Sequence, residues 1–502
     1  MSQRRGPLRA LCIRAWLPAL LLVAMAGAGH AARAAAMDGA ATLLPAHVLG
    51  GASGYADERD ADIYPSIAYD ATTNRYLGVW LTARNASSSS SGLDVYGIFL
   101  DRNGMPSGNE FRISDSNNAA RNAPPTVAAG NGQFAVAWTV RSGSCQVYVQ
   151  LVTSAASRSD YALTSGTGHH HSPALVYNPA RGGYVLAFVH GDDYLPPVLF
   201  GVQTADCGNN PSGTGRIKAL EFHFGGDRPV TDSGVDVSDG NAGVFRPRLA
   251  YSAGLGRYLV AWEDRRNAGG QAYRFDLYAR RLGSDLTPLE GDLALAAGGD
   301  YRSEDTSATW TPRPAVAGGD STFLVAWFSR QTAGSAAIWS VEGCLVPGSG
   351  SPGAPFTVAR MTFAQPHPGR APTGFLAAAG LSAAQEYLVG MTTHLESVWG
   401  YLSSARIQRV STAGQLLKMD GTPLSSPAVG YSVDYENDDQ VGIGLATNPA
   451  SAANSDYMLA YSKHARNRPA QDYDIWGARI QLPGPALRGI YLPCVGRNWI
   501  PQ

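Results

Sequence analysis

Charge is scarce in this sequence. Asp, Glu, Lys and Arg make up 16% of its 502 residues and leave a net charge of −1. Such a balance gives no electrostatic case for nucleic acid, which requires a basic face. It also excludes an acidic disordered tail. Long apolar runs are rare too. The one candidate, near the N-terminus, is shorter than the roughly 20 residues that span a bilayer. No C-x-x-C pair is present, which argues against zinc. G-x-S-x-G, H-E-x-x-H, P-loop and EF-hand patterns are all missing, so no local signature of catalysis or nucleotide binding stands out. What remains is turn-rich and globular: 58 Gly, 31 Pro and 44% hydrophobic residues, with neither the period of collagen nor that of a coiled coil.

The N-terminus reads as an export signal. Residues 1–14 are basic, residues 15–28 (AWLPALLLVAMAGA) are apolar, and small residues follow in GHAARAAAM. That order predicts cleavage after Ala31 or Ala36 and a secreted or surface address. A membrane anchor is the alternative. The domain plan is then a signal over 1–36, a body over 41–482 and a tail over 483–502. Beyond Cys12, four cysteines remain: Cys145, Cys207, Cys344 and Cys494. An even number in an exported chain permits two disulfides, with three connectivities. Cys145–Cys207 is favoured because the two fall in neighbouring repeats, which leaves Cys344 and Cys494.

The body is a repeat. Residues 64–114 contain YPSIAYDATTNRYLGVWLTARN, then LDVYGIFLDRNGMPSGNEFRIS. Residues 245–296 repeat the frame as FRPRLAYSAGLGRYLVAWEDRRN and FDLYARRLGSDLTPLEGDLALA. Weaker copies lie at 124–152, 172–204, 311–343, 372–402 and 441–480. Each copy alternates with period two and is rich in β-branched and aromatic residues. Turn residues divide it, such as Asn103-Gly104 and Gly182-Gly183. Four short strands repeated seven times predict an all-β, seven-bladed β-propeller of four-stranded antiparallel blades. The seventh copy shows three strands. The N-terminal segment ATLLPAHVLGG (41–51) is the expected fourth, closing the ring and removing a free edge. Residues 481–502 are the alternative.

The recurring residues have structural explanations. Trp80, Trp138, Phe188, Trp262, Trp327 and Tyr461 end the second strands, with Met391 in the sixth copy. They are expected to fill the space between blades. Tyr96, Tyr148, Tyr278, Trp339, Trp399 and Trp476 hold a matching place on the third. Arg84 with Asp94, Arg265 with Asp276 and Arg466 with Asp474 flank the following turn, as cross-strand ion pairs would.

The frame Y-L-V-x-W-x-D-x-R-N…D-I-Y-G-x-R, best at 75–114, 257–282 and 457–480, resembles the repeats of secreted bacterial β-propeller proteins. The tail LRGIYLPCVGRN (487–498) is similar to a short ending found on such exported chains. The resemblance implies a fold and an address, and no catalytic residues. Ser303–Trp310 loosely matches the box of sialidase-type propellers. Ser307 replaces its glycine, and the segment occurs once and in the wrong place, so it is read as coincidence.

Function is sought where the repeat decays. His169, His170 and His171 enter the third copy, and His190, Asp192, Asp193 and Tyr194 follow its second strand. His394 and Glu396 hold the same loop in the sixth. Asp438 and Asp439 enter the seventh, and His464 and Arg466 follow its second strand. Imidazoles and carboxylates together suit proton transfer or a divalent metal, and the acid-rich DERDADIYP (57–65) could hold Ca²⁺ although it lacks the alternating D-x-D-x-D-G frame. Alternation along a strand allows His169 and His171, of the three, to share a face. Drift of exposed polar loops explains the same pattern without a site. The favoured reading is a monomeric propeller that binds a glycan or surface protein, with no nucleic-acid partner and no membrane span in the mature chain. The alternative is a polysaccharide lyase or hydrolase using His190, His394, His464, Tyr194 or Arg466.

Overall fold

The computed structural model describes residues 42–43, 47–50, 62–82, 93–114, 124–155, 159–166, 168–191, 198–199, 202–203, 207, 214–231, 234–240, 243–269, 274–300, 314–333, 336–361, 375–381, 385–397, 400–427, 430–433, 439–448, 454–464 and 473–483. All regular elements among them are strands. They form seven antiparallel blades. Blade 1 runs Asp62–Asp70, Arg75–Thr82, Asp94–Leu100 and Phe111–Arg112, and each strand pairs with the next in sequence. Blades 2, 4 and 5 follow the same order, and blades 3 and 6 split the outermost strand into two short pieces.

Alternation decides how blades stack. In the second strand of blade 1, Leu77, Val79 and Leu81 join a core shared with Phe134, Val136 and Trp138 of blade 2. The intervening Tyr76 and Trp80 join Met458 and Ala460 of blade 7. Each sheet therefore buries both faces, which explains near-continuous apolar strands where one-sided sheets would alternate with polar residues. A hydrophobic cluster of this kind lies at every blade boundary. The second-strand aromatics fill the space between blades as expected, each on the side of the preceding blade, and Trp80, Trp138 and Trp262 are fully buried. The inner strands approach so closely that a side chain on Gly318 would strike the Tyr251 carbonyl of the neighbouring blade.

The ring closes through the N-terminal segment. Thr42 and Leu43 pair with Gln481 and Ile480, and His47, Val48 and Gly50 pair along the same third strand of blade 7. Leu49, 3% exposed, enters the core between blades 7 and 1.

Three expectations of register need correction. VLFGVQT was expected as the third strand of blade 3. Val198–Leu199 and Val202–Gln203 pair only with each other, and Gly215–Gly225 takes the place. That segment forms an unbroken ladder from Tyr184↔Phe222 to Gly191↔Gly215, which the shorter run cannot match. In blade 5, Trp339 lies opposite Arg330, and Glu342 faces Trp327. In blade 6, Arg406 faces Met391 across the ladder, and Trp399 lies outside the described residues. The aromatic ladder survives in blades 1, 2, 4 and 7, as Trp80↔Tyr96, Trp138↔Tyr148, Trp262↔Tyr278 and Tyr461↔Trp476. Blades 5 and 6 depart because their second and third strands run on as long hairpins, Thr322–Ala333 with Ala336–Pro347 and Glu386–Ser397 with Gly400–Ser411. The motif thereby moves up the hairpin.

Candidate functional site: the channel mouth and the blade 3 histidines

The first strands of all seven blades line a central channel, with a cavity of about 190 Å³ at the end where these strands begin. A bulge shapes this end. The register shifts between Ile63 and Ser66, His171 and Ala174, Phe245 and Arg248, and Val441 and Ile443. In three of these blades a left-handed residue precedes proline: Tyr64 (φ 58), Ser172 (φ 55) and Arg246 (φ 46). Gly442 (φ 65) holds the turn in blade 7. A non-glycine residue in this region costs on the order of 1 kcal/mol, so the repetition marks a conformation the blade stacking enforces.

Each first strand places one residue on the channel wall, opposite the residue before the second-strand aromatic or, in blade 6, before Met391. Six of the seven are small: Ser66, Thr126, Ala174, Ala315, Ala377 and Gly444. The seventh is Arg248, paired with Ala261 in blade 4. Its Nη1 donates to the carbonyl of the adjacent Pro247 at 3.0 Å, and it forms no salt bridge among the described residues. Burial lowers its pKa to about 10; Glu263 opposes that shift and Arg246 adds to it. It therefore stays charged at neutral pH. The Glu263 carboxylate is itself bonded to Arg246 Nη1 at 2.8 Å. No Asp, Glu or His lines the cavity among the described residues.

Arg248 was not among the sequence candidates, although a signal exists. The frames Pro-Ser-Ile-Ala-Tyr (65–69), Pro-Thr-Val-Ala-Ala (125–129), Pro-Ala-Leu-Val-Tyr (173–177) and Pro-Arg-Leu-Ala-Tyr (247–251) differ in size and charge at one position. The position lies on a strand, outside the loops in which the repeat decays.

The histidines of blade 3 form a separate, mostly structural cluster. His169 Nδ1 accepts from the Cys145 amide at 3.1 Å. His171 is fully buried, with Nε2 donating to the Gly191 carbonyl at 3.1 Å. These two, expected to share a face, do not meet: His171 Nδ1 lies 3.1 Å from Ser172 Oγ. His170 is the residue that meets His190, directly opposite in register, with stacked rings 4.8 Å apart. His170 Nδ1 also donates to Gln146 Oε1 at 2.8 Å, joining blade 3 to blade 2. Burial lowers His170 to about 4, reinforced by His190 and Lys218. His190 is lowered by burial and by Lys218, and its Nδ1 is buried without a hydrogen-bond partner. Both rings are neutral at pH 7.

Beside them the Cys145–Cys207 disulfide links blade 2 to the segment before the third strand of blade 3. Cys344 carries a free thiol, buried and donating to the Gly353 carbonyl at 3.1 Å, and burial pushes its pKa up to about 11. Cys494 lies outside the described residues.

Asp192, Asp193, Tyr194, Asp438 and Arg466 also lie outside them, as do Arg84, residues 1–41 and Ser303–Trp310. The backbones of His394, Glu396, Asp439 and His464 are placed, and their side chains are not described. Asp439 and His464 are direct partners in register, and His394 faces Ser403. Among the acids of the expected Arg–Asp pairs, Asp94 is bonded by Arg112 at 2.5 Å and Asp276 by Asn267 at 2.6 Å. Among the described residues no group of three His, Cys, Asp or Glu is arranged to hold a metal ion, and no helix is long and apolar enough to cross a membrane.

No protein-family model and no curated protein matches the sequence. Several solved structures are similar in fold. The sialidase of Trypanosoma rangeli is 9% identical with a TM-score of 0.39, over 76% of this chain and 57% of that one. A protein of unknown function from Dyadobacter fermentans is 13% identical with a TM-score of 0.43, over 88% and 100%. An α-L-arabinofuranosidase of Fusarium graminearum is 12% identical with a TM-score of 0.42, over 87% and 97%. The chain thus spans little more than half the length of the sialidase. At these identities the likeness carries no functional argument, and the propeller rests on the strand pairing itself.

Proposed function

We propose that this chain is an exported, non-enzymatic binding propeller that takes a cell-surface glycan at the mouth of its central channel. One observation carries the reading. The described wall of the mouth offers the hydroxyls of Ser66 and Thr126, a guanidinium and small or apolar side chains, but no carboxylate pair. Glycoside hydrolysis by the common routes needs two carboxylates across the scissile bond. Binding needs only polar groups placed on an apolar wall. A cavity of about 190 Å³ is smaller than the range of roughly 300–1,000 Å³ usual for drug-sized ligands, so it suits the end of a sugar chain. The Cys145–Cys207 bond fits an oxidising compartment and supports export.

The test is binding of the exported chain to a polysaccharide panel, with and without EDTA. Retention on a polymer of unchanged length is the expected result, and sensitivity to EDTA would add a divalent metal. Shortened polymer, or ultraviolet absorbance from an unsaturated sugar, would replace this reading with a hydrolase or lyase. Silence across the panel would move the partner to a surface protein.

A further inference from the structure

Seven equivalent positions face the channel, and six of them carry Ser, Thr, Ala or Gly. Small residues at six places leave the room that one long side chain occupies at the seventh. Arg248 is only half-buried and lines the cavity, so a guanidinium with no carboxylate beside it keeps donors free for whatever enters. Arg248 satisfies one donor on the Pro247 carbonyl. The acid whose charge reaches it, Glu263, is already bonded to Arg246. Core packing does not call for this residue, since Ala174 and Ala315 hold the corresponding place in the adjacent blades.

We infer that Arg248 makes the channel mouth an anion site, whose ligand presents a planar carboxylate to the guanidinium fork, as the terminal uronate of an acidic glycan would. The inference rests on the binding reading above for its glycan and on Arg248 alone for its charge preference. A carboxylate suits the site because two parallel N–H···O bonds match its geometry. The small neighbours let the ligand approach, and Ser66 and Thr126 offer hydroxyls for the rest of a sugar.

The experiment uses the exported chain and simple probes: acetate against acetamide, glucuronate against glucose, and inorganic phosphate. Binding is followed by calorimetry and by the shift in Tm. Acetate and glucuronate are expected to bind and raise Tm, with each neutral counterpart about tenfold weaker or more. Arg248→Met is expected to abolish that difference while leaving the Tm of the ligand-free protein nearly unchanged, because the side chain is only half-buried and small residues hold the equivalent positions. Arg248→Lys should retain part of the preference, having charge without the fork.

A lower ligand-free Tm in Arg248→Met with unchanged anion binding would make Arg248 a structural plug and overturn the inference. Equal binding of glucuronate and glucose would overturn the charge preference and leave the glycan reading standing. Arg248-dependent binding of acetate and phosphate, with glucuronate bound no better than they are, would support the anion site and sink the glycan reading.

Discussion

At the scale of single residues, the stacked His170–His190 pair yields a testable pH dependence. The folded protein holds His170 near 4, against 6.5 for a free imidazole. Between those values the unfolded chain binds the extra proton, so stability falls as pH drops from about 6.5 toward 4 and levels off below. His190 is displaced in the same direction and adds to the slope. Urea midpoints measured from pH 7.5 to 4 should fall for the wild type and fall less for His170→Gln. Parallel curves would mean that the histidine pair does not control acid stability. His190 was readable as a candidate because it follows the second-strand aromatic, although the structure places it within the strand Gly183–Gly191 and not in a loop. His170 was not, because strand alternation predicts which neighbours share a face and says nothing of the residue across the ladder.

Elements carry a second kind of constraint. The disulfide joins cysteines 62 positions apart, enclosing the outer strand of blade 2 and the first two strands of blade 3. Loop entropy for a closure of that length corresponds to about 4 kcal/mol of stabilisation. Serine at both Cys145 and Cys207 should lower unfolding stability by up to that amount, read from denaturant midpoints. An unchanged midpoint would assign the bond no structural role. The third strand of blade 3 follows Cys207 in the chain. The 198–203 segment has the right composition for a strand. It lies between the second strand and Cys207, and the longer Gly215–Gly225 segment matches the ladder better. Composition marks strand-forming runs, and competition among them for one ladder is decided by length.

For the whole molecule, stability depends on closing the ring. Leu49 sits with Tyr76, Trp80 and Met458 in the core between the last blade and the first. Arg479 of blade 7, bonded to Asp456 at 2.6 Å, also reaches Asn103 of blade 1 at 3.1 Å. Leu49→Ala should cost about 3 kcal/mol, in line with other buried leucine truncations. If the midpoint were unchanged, the N-terminal strand would be dispensable to closure.

The repeat by itself determined four strands per blade, the blade number and the second-strand interblade aromatics, and it favoured the N-terminal closing segment. These follow from period-two alternation and from the need to bury both faces of every sheet. Tertiary structure alone decided the rest. It set the register of blades 3, 5 and 6, paired His170 with His190, and placed Arg248 on a channel wall of small residues. A channel belongs to no single repeat. It exists only once seven first strands converge, and a residue that looks like an ordinary strand position along the chain becomes the charged group of that shared space.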